Sequence, residues 1–468
     1  MIFHSFDFIV FAAGLLSVYW SLNHRWQNAL LLGASYVFYG YVHQWFLILI
    51  ATSTVVDYLC GLGMERYAKK KKLFLVVSLF ANLGMLAFFK YFGFFVGSVG
   101  AILSALGLPT FESSLHIFLP VGISFYTFQT LSYTIDIYRG TLRARRNFLD
   151  FAVFVSFFPQ LVAGPIERAS LMLPQIEMQR HFSASRAHDA IVLIIWGFFK
   201  KLVIADNIAV IVNKVFLLPD AGFALLWTGV LAFAIQIYAD FSAYTDIARG
   251  TAKLFGVELM QNFHHPYVSQ TPAEFWRRWH ISLSTWIRDY IYIPLGGSRV
   301  NRVQEAWNVT ATFFLAGLWH GASWNFVLWG LFHALLLILY RAAGRTVPRL
   351  LESQRLVVPR VLVFFALTNV GWLIFRETEI TQLFFDLSIA PWENTAEQLA
   401  AAAFLLPRVL VFGLPLALHA LLDRYFGSQI AEASPTHVAG LHVVIALCLL
   451  GILAFHSEVQ SEFIYFQF

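Results

Sequence analysis

Charge is what this sequence has least of. Asp, Glu, Lys and Arg make up 13% of its 468 residues, against 59% hydrophobic and 17% aromatic, whereas a soluble domain carries about 25% charged and roughly 45–50% apolar residues. That shortage excludes an ordinary water-soluble globule, and a mean hydropathy of +0.66 agrees. Cysteine is nearly absent. Cys60 and Cys448 lie far apart in apolar runs without metal-ligand spacing, so both read as packing residues. No Lys or Arg precedes Arg25, so the positive start of a cleavable signal peptide is missing and the first apolar run is expected to remain as a span. A G-x-S-x-G elbow and a His followed five residues later by Asp are also lacking, which leaves a covalent serine mechanism unsupported. No aromatic-basic motif supports nucleic acid as a partner, and no soluble domain, low-complexity linker or repeat is visible.

What is present is apolar length. Runs such as "FDFIVFAAGLLSVYW", "WFLILIATSTVVDYLCGLGM", "VLAFAIQIYADFSAYTDIA", "VLVFFALTNVGWLIF" and "LHVVIALCLLGILAF" recur from end to end, and roughly 17–25 such residues cross a bilayer. The sequence therefore predicts an all-α, polytopic integral membrane protein of about 11–13 helices, a count that rests on span length. The net charge is +5, and in such a chain basic residues first report orientation. "KKKK" at 69–72 follows about three spans and "RGTLRARR" at 139–146 about two more; if both loops are cytoplasmic, the N terminus lies outside. The chain reads as one membrane domain, 1–468, in three textures: ordinary spans over 1–145, a middle over 146–345 richer in Gly, Pro, His, Trp and paired charges, and plain spans over 346–468. Chemistry is expected in the middle.

The best-signposted element there is "SQTPAEFWRRWHISLSTWIRDYIYIPLGGSR". Thr271, Pro272 and Glu274 form a capping box with proline at the first helical position, and Pro294 to Gly297 is a natural stop. One helix over 272–292 is expected. Arg277, Arg278, Arg288 and Asp289 make it too polar to cross lipid freely, since a charge at mid-bilayer costs at least about 2.5 kcal/mol. On that helix Trp276, His280 and Ser284 share a face, and Arg277 and Arg288 nearly coincide in direction. It presents an imidazole and cations to an anionic ligand, or it is an interfacial helix whose arginines meet lipid phosphates; the segment alone allows both equally.

"FFLAGLWHGASWNFVLWG", residues 313–330, places His320 between Trp319 and Gly321 in an apolar run. An ionisable residue within a span is a functional-site hypothesis by default. A neutral histidine bonded to a neighbouring carbonyl fits the run equally well. Gly317-x-x-x-Gly321 lets another backbone approach closely. Imidazole, with an unperturbed pKa near about 6.5 that desolvation lowers, suits general-base work on an acceptor hydroxyl. His333 stands off the helical face of His320, so the two are not expected to pair on one helix. His264–His265 reads as a loop pair without a third ligand at motif spacing, so no metal site is expected.

Asp240 and Asp246, six apart, point to different sides of a helix, which disfavours a paired-carboxylate site and favours structural pairing. Lys200–Lys201 reads first as a cytoplasmic helix end and second as a contact for a phosphorylated donor. "FFPQLVAGPIER", with Pro159, Gly164 and Pro165, breaks an apolar run as a buried irregular segment beside a cavity would.

"EFWRRWHISLSTWIRDYIYIPLGG" followed by "LAGLWHGASWNFVLWG", with His280 and His320 forty residues apart, resembles the membrane-bound O-acyltransferase family, most closely its bacterial alginate- and cellulose-acetylating branch. Further support comes from "LLLGASYVFYGY", "LPVGISFYTFQTLSYTIDIYRG", "FPQLVAGPIER", "DFSAYTDIARG" and "PYVSQTPAEFW". The resemblance implies helices around a central catalytic tunnel joining a cytosolic acyl-CoA side to an extracytoplasmic acceptor side. It makes His320 the essential histidine and His280 the second polar residue of the chamber; the residues themselves, apart from the resemblance, offer Trp276, Arg277, Arg278, Ser284 and Trp319 as substrate-binding candidates. It implies no bound cofactor and no metal, acetyl-CoA as donor substrate, and a location in the bacterial inner membrane. The acceptor would be an exopolysaccharide or a periplasmic acetyl-accepting protein, within a complex of further subunits. Peptidoglycan or teichoic acid acylation by the same fold, or a transporter with proton-relay histidines, are the rival readings.

Overall fold

In the computed structural model, all residues are described except 2, 42, 111–114, 116, 163, 349–352, 427–434, 458–460 and 465–468, and no strand occurs among the described residues. Among the described residues, six helices are long and apolar enough to cross a membrane: Phe46–Arg66, Ala68–Ala105, Gly222–Leu254, Trp324–Thr346, Gln354–Arg376 and Ala396–Asp423. Shorter apolar helices cover Phe6–Tyr19, Phe148–Leu161 and His442–Phe455. The expected 11–13 spans counted apolar runs; several of those runs are divided by turns or carry more polar residues than a lone span tolerates. Cys60 and Cys448 are buried and free, as expected.

The chain sorts into two compact units, Met1–Ile191 with Ala248–Met260, and Val192–Ile247 with Gln261–Phe468. Spatial proximity sets these groups, and they do not follow the composition boundaries at 145 and 345. In the first unit, side-chain oxygens of Ser5, Asn23 and Asn147 accept from Phe8 N, Trp26 N and Leu149 N and start three helices, satisfying backbone donors that a helix end leaves open. Its interior joins spans through polar contacts: Asn82 Nδ2 donates to Asp57 Oδ2 at 2.9 Å, and Ser78 Oγ donates to Asp57 Oδ1 at 2.6 Å. Such contacts hold helices together where lipid supplies no hydrophobic drive.

The broken segment after Ser156 is buried and irregular as the sequence predicts. Phe157 (φ −50°, ψ 106°) ends one helix, and Phe158 N donates to Ser35 Oγ at 3.1 Å. The two basic stretches sit at one end of this unit, because Ala144 N donates to Glu65 Oε1 at 2.7 Å, four residues before Lys69.

In the second unit the paired lysines are not helix-end cations. A π-turn, Lys200–Ala205, points them inward. Lys201 Nζ lies 2.8 Å from Asp206 Oδ1 and 3.0 Å from Asp240 Oδ1, all three side chains being buried. Lys200 Nζ lies 2.7 Å from Asp246 Oδ2. The sequence preference for structural pairing of Asp240 and Asp246 thus holds, and each acid takes a different lysine. Lys201 also donates to Ser461 O at 2.9 Å, and Asp240 Oδ2 accepts from Ile464 N at 2.8 Å, so the same charges tie residues 461–464 into the core.

The helices Arg302–His320 and Trp324–Thr346 form a close antiparallel hairpin. A Cβ on Gly317 would fall 2.2 Å from Phe326 O, and one on Gly330 2.2 Å from Phe313 O. Gly321 meets the Phe326 ring in the same way, at 2.1 Å. The spacing Gly317-x-x-x-Gly321 therefore admits a neighbouring helix, as expected.

Gly317→Ala and Gly330→Ala are each expected to lower stability by about 1–3 kcal/mol through overpacking, while Gly14→Ala, which has nothing within 4 Å of its Cβ, does not lower it; thermal unfolding in detergent compares them. Lys201→Met strands buried carboxylates and should cost about 3–5 kcal/mol. Lys200→Met should cost less, because its partner Asp246 is 17% exposed; the same melting assay ranks the two.

Candidate active site

The predicted single helix over 272–292 is interrupted. Thr271 does cap it, its Oγ1 accepting from Glu274 N at 3.2 Å, but the first piece ends as Pro272–Arg278 and a second begins as Ile281–Ile287, followed by a π-turn at Arg288–Tyr292. His280 stands at the break in a left-handed conformation, φ 43°. Among the described residues only His265 is another non-glycine with positive φ. Such backbone is strained, and it persists where the surroundings over-determine it. Here Asn262 does so: its carbonyl accepts from Ile281 N at 2.9 Å and its side chain accepts from Ser282 N at 3.1 Å, capping the second helix.

The break overturns the one-face arrangement of Trp276, His280 and Ser284, since a 3.6-residue repeat does not survive a left-handed residue. His280 is fully buried, with its ring 4.7 Å from Phe241 and 5.7 Å from Trp319. Trp276 turns to Phe313, Trp329 and His333 at 5.3, 5.7 and 5.1 Å. Ser284 Oγ donates to Trp279 O at 3.1 Å, within the same break. Arg278 is taken up by Glu274 at 3.0 Å and by His264 O at 3.1 Å, and Arg277 is exposed. The near-coincidence of Arg277 and Arg288 is likewise lost, and Arg288 pairs with Asp289 at 2.7 Å.

His320 is the last residue of Arg302–His320, where Gly321 turns the chain back. It is buried, with its ring 5.1 Å from Trp319, 4.8 Å from Trp329 and 5.3 Å from Phe375, all edge-on. The indole of Trp319 is thus neighbour to both imidazoles, and the two histidines forty residues apart in sequence meet on one side chain.

His333 is a residue that sequence reasoning discounted. The hairpin, rather than one helix, carries His320 and His333, and Trp329 lies 4.8 Å from each. Reading "HGASW" as a tight turn between antiparallel helices would have found it. His333 Nδ1, Trp329 Nε1 and Trp276 Nε1 are buried without hydrogen-bond partners among the described residues. Buried polar atoms left so are costly; the three side chains meet one another, and Trp329 among them adjoins His320.

Burial pushes the His280 imidazole down to about 3. It is therefore neutral near pH 7, and any contact it makes to a developing oxyanion is a neutral N–H donor. Aromatic rings surround the buried imidazoles, an environment that keeps bulk water away from them.

The model of the membrane-bound O-acyltransferase family matches residues 141–368, which include both histidines. The chain is 36% identical, over the whole of both chains, to a probable alginate O-acetylase of Pseudomonas putida. It is 41% identical to that of Pseudomonas aeruginosa, covering 80% of this chain and 72% of the relative. A peptidoglycan O-acetyltransferase of Helicobacter pylori is 36% identical over 73% of this chain and 69% of its own. Long apolar helices, the family model over residues 141–368 and a relative 36% identical over the whole of both chains place the chain in one family: it is a multi-pass membrane enzyme, an acyltransferase belonging to the membrane-bound O-acyltransferase family.

Proposed function

We propose that this enzyme moves an acetyl group from acetyl-CoA, bound from the cytosol, to hydroxyls of an extracellular polysaccharide of the alginate type. The observation that carries the reading is the pair of buried imidazoles, His320 and His280, both beside Trp319. His320 takes the proton of the acceptor hydroxyl as its oxygen attacks the thioester carbonyl. The C–O bond forms, the C–S bond breaks, and coenzyme A leaves as thiolate to be protonated. His280, a neutral donor, faces the carbonyl oxygen as negative charge develops there. Trp276 Nε1, Trp329 Nε1 and His333 Nδ1 offer further polar contacts for the acyl or acceptor oxygen.

The acceptor follows the names of the relatives, alginate O-acetylases above all. The Helicobacter pylori relative supports peptidoglycan as the second reading. The acetyl group passes to sugar directly or through a periplasmic acetyl-accepting protein, with this chain as the membrane subunit of a bacterial inner-membrane complex. Lys69 to Lys72 and Arg139 to Arg146, at one end of the first unit, favour a cytoplasmic face there and a periplasmic N terminus. Arg277 remains available to coenzyme phosphates or to lipid; Arg278 is held by Glu274.

His320→Ala is expected to lower acetyl transfer by about 10²–10⁴-fold, the usual contribution of a general base. His280→Ala should lower it by about 10²–10³-fold, the cost of one oxyanion donor. Ester-linked acetate on the exopolysaccharide, measured in a deletion strain complemented with each variant, reads both. A His320→Ala protein that inserts at the normal level and restores full acetylation would sink the catalytic assignment. Release of free thiol from acetyl-CoA by the purified complex tests the donor, and acetate found on peptidoglycan in place of exopolysaccharide would select the second acceptor.

A further inference from the structure

The loop that holds the break at His280 also carries a cluster the acyl-transfer chemistry does not use. His264 and His265 lie in that loop, and Asp423 and His419 lie one turn apart on Ala396–Phe426. One ligand atom from each of His264, His265 and Asp423 falls within 4.8 Å of the others. Asp423 Oδ2 is 3.2 Å from His265 Nε2 and 3.9 Å from His264 Nδ1.

We propose that His264, His265 and Asp423 bind one divalent ion of the zinc class, pinning the 262–265 loop to the Ala396–Phe426 helix. Zinc holds nitrogen and carboxylate oxygen at about 2.0–2.2 Å, so tetrahedral ligand atoms stand about 3.3 Å apart. The 3.2 Å pair already has that spacing, and His264, half exposed at 50%, has room to close the rest. His265 shares with His280 the left-handed backbone found at no other described non-glycine residue. Its ring has His419 edge-on at 4.9 Å, a further imidazole beside it. Two imidazoles and one carboxylate select zinc and its neighbours over magnesium or calcium, which want oxygen. The metal-free alternative is a charge-assisted His265–Asp423 pair.

The ion's position matters because the loop is bonded directly to the break. His264 N donates to Arg278 O at 2.9 Å, and Arg278 Nη1 donates to His264 O at 3.1 Å. Asn262, two residues earlier, caps Ile281–Ile287. A metal that fixes the loop fixes the backbone that orients His280. The site is a positioning device, and its existence does not rest on the acetyl-transfer reading.

The test uses the full chain in detergent, stripped with chelator and titrated with ZnCl₂ against a chromophoric competitor. One equivalent of saturable zinc is expected, with a rise in melting temperature. His265→Ala and Asp423→Asn should each weaken binding by more than about tenfold and abolish the rise, while His188→Ala should leave both unchanged. Cobalt in place of zinc should give visible absorption bands that the same two variants remove. Should His265→Ala fail to run as a single species, His264→Ala and the near-isosteric Asp423→Asn carry the test. No saturable site, or a site that these variants leave intact, overturns the proposal.

Discussion

The meeting of His280 and His320 on Trp319 depends on one local constraint, the left-handed residue at His280. A continuous helix from Pro272 would carry Trp276 and His280 along one face. The break instead sends Trp276 toward His333 and Trp329 and sends His280 toward Phe241 and Trp319. Left-handed backbone is unfavourable for a residue with a Cβ, so it persists because both ends of the break are held. Trp279 N closes the first helix on Phe275 O, and Asn262 opens the second. The strain and its remedy are both local to the site.

The same physics governs the charges. In a low-dielectric interior an unpaired ion is prohibitively costly, and a paired one persists only with its partners in place. Lys201 meets this with Asp206, Asp240 and Ser461, and Lys200 with Asp246. These pairs replace the cytoplasmic helix end that the sequence suggests for Lys200 and Lys201, and they tie the helix Gly222–Leu254 into the interior: 67% of its apolar window is buried, against 17% for Ala68–Ala105. Glycine serves a matching role in the hairpin, where Gly317 and Gly330 let two helices approach until a methyl group would clash. That closeness brings Trp329 between His320 and His333.

Much was legible in the sequence because it was local. Composition and run length determined a helical membrane protein; "RRWHISLS" and "LAGLWHGASW" determined the family and singled out His280 and His320; the Thr271 capping box and the buried break after Ser156 were readable from residue types at short spacing. What only the tertiary structure decided involves partners far apart in the chain: that Asn262 splits the 272–292 helix, that one indole joins the two histidines, that His333 lies beside them, and that Asp423 comes to His264 and His265. Periodicity describes a face on the assumption that the helix continues. Whether it continues is set by hydrogen bonds from outside the segment, and those exist only once the chain has folded.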